Sequence, residues 1–487
     1  MLTTTLIILP FLGAIASILS GRYSSRIALA FTVAELALAV FAYNAYMMNP
    51  SDALLTTNVV WSQTLGSSFH VSVDGISMLM VLLTGLLTPF IVFSAQAKPY
   101  GESQSFYAMV LAMQAALVGV FTAMDGLLFY VFWELALIPI WFICLIWGGE
   151  GRQRITFKFF IYTLAGSLFM LAALIYLYTK AGNTFDIHAL YAAGNGLGGW
   201  EQTLIFWAFF VAFAIKMPVF PFHTWQPDTY TNAPVQGTMM LSGIMLKMGT
   251  YGLIRWLMPM VPAGVAQNGY IAITLAVVSI VYASMIAIAQ KDFRRMIAYS
   301  SIAHVGLIAA GMMTFNVQGI QGGMVQMLAH GINVVGLFFI CDIISMRMGT
   351  SEMNVLGGIR GVAPQFALLF LIVLLGSVAL PLTNGFPGEF LLLNGLFQYN
   401  FWMAVFGGLT VIFGAVYMLR GYQKMMLGET NGRTLGFSDL TTNEKWVLIP
   451  ICILIIAMGI YPKPILDLTE PSVKALIDGV ASGWSAK

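Results

Sequence analysis

The chain has 487 residues, of which 59% are apolar and only 9% are charged. Soluble domains carry roughly 25% charged residues, so this composition excludes a soluble protein, a disordered chain and a nucleic-acid-binding protein. The 22 basic and 20 acidic residues leave a net charge of +2, which indicates no strongly charged partner. A mean hydropathy of +0.85 is typical of a membrane protein.

Stretches of about 20 apolar residues indicate membrane-spanning helices, and the whole chain reads as an all-α polytopic membrane protein. The first stretch lacks the positively charged start of a signal peptide, so we count it as a span. The fourteen predicted spans are 2–20, 25–46, 73–95, 105–124, 126–146, 156–179, 202–230, 233–257, 268–289, 294–313, 316–345, 364–397, 400–420 and 445–462.

The charges of the predicted loops support this number of spans. Basic residues concentrate in loops on the cytoplasmic side of a membrane. One set of alternate loops holds 15 of the 22 Lys and Arg residues, and the opposite set holds five. With an even number of spans, we expect both termini on the periplasmic side of a bacterial inner membrane. The remaining two basic residues, Lys216 and Lys247, fall inside apolar spans.

Six ionisable residues lie within predicted spans. A charged side chain at the centre of a bilayer costs at least about 2.5–3.5 kcal/mol, so each is a candidate for function. Structural ion pairs that fix helix packing are the alternative, but small residues achieve packing without a buried charge. Six single groups on six helices therefore favour a functional site. They are Glu134, Lys216, Lys247, His304, His330 and Glu389, on predicted spans 5, 7, 8, 10, 11 and 12.

Two of these spans are predicted to be broken. Pro218 and Pro221 follow Lys216, and Pro381 and Pro387 precede Glu389. A proline inside a helix frees a carbonyl and kinks the axis. Paired broken helices in corresponding halves of a chain indicate a transport site near the middle of the membrane.

The two proline pairs are 163 residues apart, which is the spacing of two inverted five-helix repeats. Spans 4–8 and 9–13 form these predicted repeats. The single membrane domain then divides into helices 1–3 at 1–96, the first repeat at 105–257, the second repeat at 268–425, and helix 14 with the tail at 426–487.

Several motifs in this order resemble one family, the antiporter-like proton-channel subunits of respiratory complex I. The motifs are WELALIPIWFICLIWGG, FAIKMPVFPFHTWQPDTYTNAP, SGIMLKMGTYGLIRW, KDFRRMIAYSSIAHVG, MLAHGINVVGLFFI and NGFPGEF. The resemblance runs from about residue 70 to 425. Within the family, L-type subunits are longer and end in a lateral helix, and L and N types usually have a lysine in helix 12. A tail of about 25 residues after the last span and Glu389 in helix 12 favour the M type.

The resemblance implies roles for the six residues. Glu134 and Lys216 are similar to the acid–lysine pair of the first half-channel, and Lys247 is similar to the central relay lysine. His304 and His330 correspond to the bridging histidines. Glu389 corresponds to the terminal proton carrier of the second half.

One segment departs from the family pattern. Members commonly read HTWLPDAHxxAP after the first break, whereas this chain reads HTWQPDTYTNAP. Tyr230 stands where a histidine is frequent, and Asn232 stands where an acid is common. This difference weakens the case for proton entry at 228–232 and leaves His223 and Asp228 as accessory candidates.

An acid–lysine pair in a low-dielectric interior can release a proton when the two groups separate. Coulomb energy falls with distance, so moving Glu134 away from Lys216 removes the attraction that keeps the lysine charged. Moving a charge against about 180 mV requires roughly 4 kcal/mol, which burial of a lysine can supply. Histidine suits the middle of such a relay because one ring nitrogen accepts a proton while the other donates.

No nucleotide, iron–sulfur or haem motif is present in the sequence, so we expect no cofactor in this chain. The resemblance places NADH, FMN, Fe-S clusters and quinone in partner subunits. The resemblance also implies that this chain lies beside L-type and N-type antiporter-like subunits and membrane lipid. We expect no nucleic-acid partner. An Mrp-type Na+/H+ antiporter subunit and a purely structural scaffold remain the alternatives.

Three further acids have structural interpretations. Glu35 in the second span is predicted to have a structural or lipid-shielded role. Asp74 begins the third span, where a negative charge is favourable to the helix dipole. Asp342 and Arg347, near the end of span 11, are predicted to pair with each other or to extend to the membrane surface.

Overall fold

The computed structural model describes residues 1–481, and most of them lie in helices. The α-helices are α1 Leu2–Leu19, α2 Ser24–Met48, α3 Gly75–Ala95, α4 Gln104–Thr122, α5 Gly126–Trp147, α6 Arg152–Lys180, α7 Ile187–Asn195, α8 Gly199–Lys216, α9 Gln226–Asn232, α10 Val235–Met240, α11 Lys247–Gly252, α12 Met258–Met260, α13 Pro262–Ala289, α14 Phe293–Met312, α15 Val317–Met348, α16 Ile359–Val362, α17 Pro364–Ser377, α18 Gly385–Tyr399, α19 Phe401–Met426, α20 Thr442–Ile460 and α21 Lys463–Ala481. The all-α membrane fold class is confirmed.

Ten continuous helices within residues 1–481 are long and apolar enough to cross a membrane. The other four predicted spans coincide with α8 and α9, with α10 to α12, with α14, and with α17 and α18. Three of these four are interrupted, which is why they do not count as single long helices. The total of fourteen spans and the inverted repeats stay predictions.

Acidic and amide side chains fix where several helices begin. Asp74 accepts hydrogen bonds from the backbone N–H groups of Ile76 and Ser77, so the expectation of a favourable acid at this helix start holds. Asp125 caps α5 in the same way and also accepts from Ser68 N at 2.9 Å. These caps satisfy N–H groups that have no partner inside the helix.

The break between α8 and α9 lies at the predicted prolines. Pro218 cannot donate a hydrogen bond, and the Ala214 carbonyl four residues back accepts instead from Val219 N at 2.9 Å. The Trp225 indole N–H donates to the Ile215 carbonyl at 2.9 Å. Protein groups therefore satisfy the carbonyls that the break leaves free, as the membrane interior requires.

The break between α17 and α18 depends on Pro381 but not on Pro387. Ala379 and Leu382 adopt positive φ angles of 54° and 74°, which reverse the chain direction locally. Pro387 is the third residue of α18, where a proline loses no helical hydrogen bond. It therefore does not break the helix, although its position beside Pro381 in the sequence predicted a paired break.

The stretch 235–260 contains two π-helical segments that the sequence did not indicate. They are Leu241–Met245 and Leu253–Leu257, and they separate α10, α11 and α12. A π turn widens the helix and changes which carbonyls are free, and such turns are frequent at functional sites. Lys247 begins the short helix between them.

An antiparallel hairpin and an amphipathic helix lie on the face opposite the basic loops, and neither was predicted. Strands β1 Thr56–Ser62 and β2 Ser67–Ser72 form the hairpin, with Thr56 opposite Ser72. Helix α21 packs against α3 and α15, and the Ser472 hydroxyl accepts from Gly75 N at 2.9 Å. We call the side that holds the loops after α1, α3, α5, α13, α15 and α19 the basic face.

Helix α15 forms the centre of the bundle. Its most apolar 18-residue stretch is entirely buried, and it packs against α3, α10, α14, α17, α18 and α20. It carries His330 in its middle and Asp342 near its end on the basic face. Groups on this helix can therefore contact residues from both predicted repeats.

A largely buried ion pair joins α3 to the stretch that ends in α12. Arg255 Nη2 donates to both carboxylate oxygens of Asp74 at 2.5 and 2.6 Å, and Arg255 Nε donates to the Tyr251 hydroxyl at 3.3 Å. Removing one partner of a buried pair leaves the other charge uncompensated. Arg255 therefore fixes the outer end of this helix.

We predict that Arg255→Met destabilises the protein by about 3 kcal/mol, the cost of leaving a buried partner unpaired. The measurement is the midpoint of thermal denaturation of the purified assembly. Lys463→Ala is the control, because it breaks the exposed Lys463–Asp467 pair of α21 and exposed pairs contribute little. Equal midpoints for the two variants would contradict the prediction.

Candidate functional site

Two of the predicted residues lie at the ends of broken helices. Lys216 is the last residue of α8, and Glu389 is the fifth residue of α18. A helix carries partial negative charge at its C-terminus and partial positive charge at its N-terminus. The C-terminus of α8 therefore favours a positively charged Lys216, and the N-terminus of α18 favours a negatively charged Glu389.

The Lys216 ammonium group is buried without a hydrogen-bond partner among the described residues. Only 3% of the residue is exposed. Its Nζ atom lies 5.3 Å from the centre of the Trp133 ring, a distance at which the ring face attracts a cation. Trp133 directly precedes Glu134 on α5 and was not among the predicted site residues.

Glu134 lies near Lys216 but does not contact it. Their charges are close enough to interact, yet no carboxylate oxygen of Glu134 lies within 4.0 Å of Lys216 Nζ. Glu134 is half-buried, at the junction of α5 and α6 near Ser167. The structure thus brings the two groups into one region, and their role as an acid–lysine pair stays a prediction.

Lys247 and His330 are in direct contact at the centre of the bundle. Lys247 Nζ lies 2.9 Å from His330 Nδ1 and donates to the Ser242 carbonyl at 2.6 Å. That carbonyl belongs to the first π-helical segment. On the other side of the ring, His330 Nε2 lies 3.1 Å from the Ser301 hydroxyl. Both ring nitrogens of His330 therefore have polar partners.

His304 and Glu389 form the second contact. His304 Nδ1 lies 3.1 Å from Glu389 Oε1, and both side chains are at most 5% exposed. The Gln326 amide also donates to Glu389 Oε1 at 3.3 Å. The contact joins α14 to α18, and Gln326 adds α15.

The two histidine rings are 6.2 Å apart between their centres, and a small cavity borders both. It has about 10 Å³ of room for the centres of water molecules, which is enough for roughly one. Three atoms of cavity-lining residues have no hydrogen-bond partner among residues 1–481, namely His304 Nε2, Gln326 Oε1 and Asn333 Oδ1. A single water bound there between His304 Nε2 and the Ser301 hydroxyl would join the His304–Glu389 contact to the Lys247–His330 contact through Ser301.

The two accessory candidates lie apart from these contacts. His223 is buried in the break after α8, with its ring against Phe220 and Tyr282. Asp228 lies at the basic face, where Lys158 at 3.0 Å and Arg295 at 3.2 Å pair with it. Neither residue touches the six predicted ones by a hydrogen bond or ion pair that the structure records.

Several polar residues of the site were not predicted, although their spacing held a signal. Ser301 precedes His304 by three residues and Gln326 precedes His330 by four, which places each pair on one helix face. Ser242 could not be found in this way, because its contact with Lys247 depends on the π turn.

The predicted pairing of Asp342 with Arg347 is wrong. Asp342 pairs with Lys98 at 2.5 Å, and Arg347 pairs with Glu444 at 2.6 Å. Five residues on a helix point about 140° apart, so two such side chains do not face each other. Both lie near the basic end of α15 and both find partners on other elements.

Glu35 is fully buried on α2, and neither of its carboxylate oxygens has a hydrogen-bond partner in the part of the chain that the structure describes. Its helix packs against α1, α3 and α4, outside the contacts above. Within residues 1–481, no group of three or more His, Cys, Asp or Glu side chains is placed to hold a metal ion.

Fold and site together define a multi-pass membrane protein with a buried line of titratable groups across broken helices. Residues 123–414 match the family model described as NADH:quinone oxidoreductase/Mrp antiporter, TM. The NADH-quinone oxidoreductase subunit M of Rickettsia conorii is 41% identical over 86% of this chain and 85% of its own length. The chain belongs to this family of membrane subunits.

Solved structures share the fold. One chain of respiratory complex I from Thermus thermophilus with bound NADH is 30% identical, with a TM-score of 0.91 and full coverage of both chains. A chain of the Mrp complex from Dietzia sp. is 19% identical, with a TM-score of 0.83 over 99% of this chain and 52% of that one. The second likeness supports the fold alone.

Proposed function

We propose that this chain is the M-type membrane subunit of a NADH:quinone oxidoreductase and that it moves protons across the membrane. The name of the 41% identical relative supports the first part. The second part rests on one observation, the two contacts Lys247–His330 and His304–Glu389 that lie side by side in the bundle. Quinone reduction by partner subunits would supply the energy.

The geometry suggests a different role in proton transfer for each group. Lys216, with no hydrogen-bonding partner in the described residues and Glu134 nearby, is suited to change its charge when Glu134 moves. Lys247 and His330 can exchange a proton directly, because one nitrogen donates while the other accepts. The proton then passes to His304 and Glu389 through one water bound between the two histidine rings. Conformational or electrostatic changes in the complex would set the direction.

The proposed assembly can be tested by purification. A tagged form of this chain, extracted from its native membrane in mild detergent, is expected to co-purify with flavin and iron–sulfur subunits. Mass spectrometry of the purified assembly provides the measurement. Recovery with antiporter subunits and without any flavoprotein would favour the Mrp-type Na+/H+ antiporter instead.

We predict that Lys216→Ala and Glu134→Gln each lower NADH-driven proton translocation by at least about tenfold, because a positioned proton-transfer group is lost. The complex should still assemble, since neutral side chains enter a membrane more cheaply. Dye quenching in inverted membrane vesicles measures translocation, and native electrophoresis measures assembly.

Glu134→Asp provides the matched control for these variants, because it keeps the charge and shortens the side chain. It should retain partial translocation. Glu470→Gln, in the exposed pair of α21, should behave as the unmodified protein. Loss of assembly instead of loss of translocation would mean that Glu134 and Lys216 form a structural pair.

A separate prediction concerns Glu389, the residue that distinguishes this chain from L-type and N-type subunits. Glu389→Gln keeps the size of the side chain and its contacts with His304 and Gln326, but it removes the titrating proton. Translocation in reconstituted vesicles should therefore collapse while assembly is retained. Glu389→Lys should keep part of the activity, because a desolvated lysine also titrates. Normal translocation by the Gln variant would move the terminal carrier elsewhere.

A further inference from the structure

A buried ion pair at the basic face lies outside the six proposed relay residues. Lys98 Nζ and Asp342 Oδ1 are 2.5 Å apart, and each side chain is only 7% exposed. Lys98 follows α3, and Asp342 lies in the second-last turn of α15. The second oxygen of Asp342 accepts from the Gln236 amide at 3.4 Å.

The pair belongs to a polar network that joins four elements. The Gln236 amide also donates to the Ser94 hydroxyl at 3.1 Å, and the Tyr100 hydroxyl donates to the Gln236 carbonyl oxygen. Arg294 of α14 interacts electrostatically with Asp342. The network therefore holds one carboxylate in a fixed position among α3, α10, α14 and α15.

Two hydroxyl side chains, those of Thr238 and Ser242, lie on the stretch between this network and Lys247. Arg294 Nη2 donates to the Thr238 hydroxyl at 3.0 Å. The Ser242 hydroxyl donates to the Thr238 carbonyl at 2.7 Å, and Lys247 Nζ donates to the Ser242 carbonyl at 2.6 Å. Residues 238 and 247 are about 14 Å apart along a helix. The hydroxyls at 238 and 242 divide that distance and donate to backbone carbonyls, so each can also accept a hydrogen bond from a bound water.

The stretch 235–260 and helix α15 contact each other at two levels of the bundle. Gln236 and Asp342 join them at the basic face, and Lys247 and His330 join them at the centre of the bundle. The separations are 11 residues along one stretch and 12 along the other, which correspond to about 16 and 18 Å. Asp342 and the central lysine are therefore joined by the same two stretches of chain, about 16 to 18 Å apart along their axes.

Buried polar atoms near this path have no partner among the residues that the structure describes. They are both amide atoms of Gln226, the Tyr230 hydroxyl and Arg294 Nε. Tyr230 packs against Phe338 of α15, at 5.9 Å between ring centres, and Phe338 is one turn from Asp342. Tyr230 and Gln226 lie close to each other, and buried polar groups nearly always have a partner, so this cluster and Arg294 Nε can bind water near the stretch that leads to Lys247.

Segment 228–232, the proton entry that the family resemblance implies, offers no free acid in this chain. Asp228 is paired with both Lys158 and Arg295, and the Asn232 amide donates to the Glu150 carbonyl at 2.7 Å. Tyr230 replaces the frequent histidine and is fully buried. The buried acid nearest to this segment along α15 is Asp342.

We propose that Asp342, positioned by Lys98 and Gln236, is the group that loads protons from the basic face onto Lys247. The carboxylate takes a proton from the aqueous phase at the basic face and separates from Lys98. Water bound beside the Thr238 and Ser242 hydroxyls then carries the proton to the neutral amine of Lys247. No electron moves, and the carboxylate is regenerated when Lys247 becomes charged. This inference rests on the proton relay proposed above.

Asp342→Asn tests the proposal in the intact complex, because it keeps the hydrogen bond with Gln236 and removes the titrating group. We expect NADH-driven proton translocation in inverted vesicles to fall by at least about tenfold while the complex assembles. Asp342→Glu should restore much of the activity. Normal translocation by Asp342→Asn would overturn the proposal.

The matched control is Glu444→Gln, which breaks the Arg347–Glu444 pair at 2.6 Å on the same end of α15. Glutamine can still form the capping box with Thr441 at the start of α20. This variant should translocate protons normally. An equal loss in Glu444→Gln would show that any ion pair at this end of α15 matters only for structure, and it would overturn the proposal.

Asp342→Asn leaves Lys98 buried and unpaired, which can itself impair assembly. The double variant Lys98→Gln with Asp342→Asn removes both charges and avoids that cost. Assembly without translocation in the double variant supports the loading role, whereas assembly with translocation, or failure of both variants to assemble, overturns it.

Lys247→Met, measured in parallel, separates the two proposals. If Lys247→Met loses translocation while Asp342→Asn translocates normally, only the loading role of Asp342 is overturned. Normal translocation by Lys247→Met would overturn the relay itself.

Discussion

The low dielectric of the membrane interior is the constraint on which this architecture depends, because an unpartnered charge or backbone group is expensive there. Backbone polar groups have hydrogen-bond partners even where the helices break. Trp225 donates to the carbonyl of Ile215, and the Lys247 side chain donates to Ser242 in the π-helical segment. The breaks can therefore expose polar groups to one another without exposing them to lipid, and this places titratable side chains in the centre of the bundle.

Much of the fold was predictable from the sequence. Apolar length and prolines located the long helices and two of the three interrupted spans, since these features act locally along the chain. The hairpin at 56–72 was missed because its strands are short, and α21 was missed because its apolar face is too narrow for a spanning helix. The π turn at 241–245 packs against α3 and α15, and the one at 253–257 packs against α8 and α14; no local pattern encodes such packing.

The site was predictable as a set of residues but not as a set of contacts. Each ionisable residue was conspicuous because charge is rare in an apolar run. The contact partners of these residues could not be predicted, since they come from helices that are distant in sequence. Lys98 and Asp342, for example, are separated by 244 residues, and the wrong pairing of Asp342 with Arg347 followed from looking only at neighbours along the chain.

The pairing chemistry differs between the ends and the centre of the helices. Arg255 with Asp74 and Arg347 with Glu444 are direct ion pairs, and each charge stabilises the other in its charged form. In the centre, Lys247 contacts an imidazole, and Lys216 contacts only the face of an aromatic ring. A carboxylate in direct contact holds the proton on a lysine until the two groups separate, as proposed for Asp342 and Lys98, whereas an imidazole can take the proton without such a separation. The absence of direct lysine–carboxylate pairs among the central groups of residues 1–481 therefore keeps protons transferable at the place where charge is most costly.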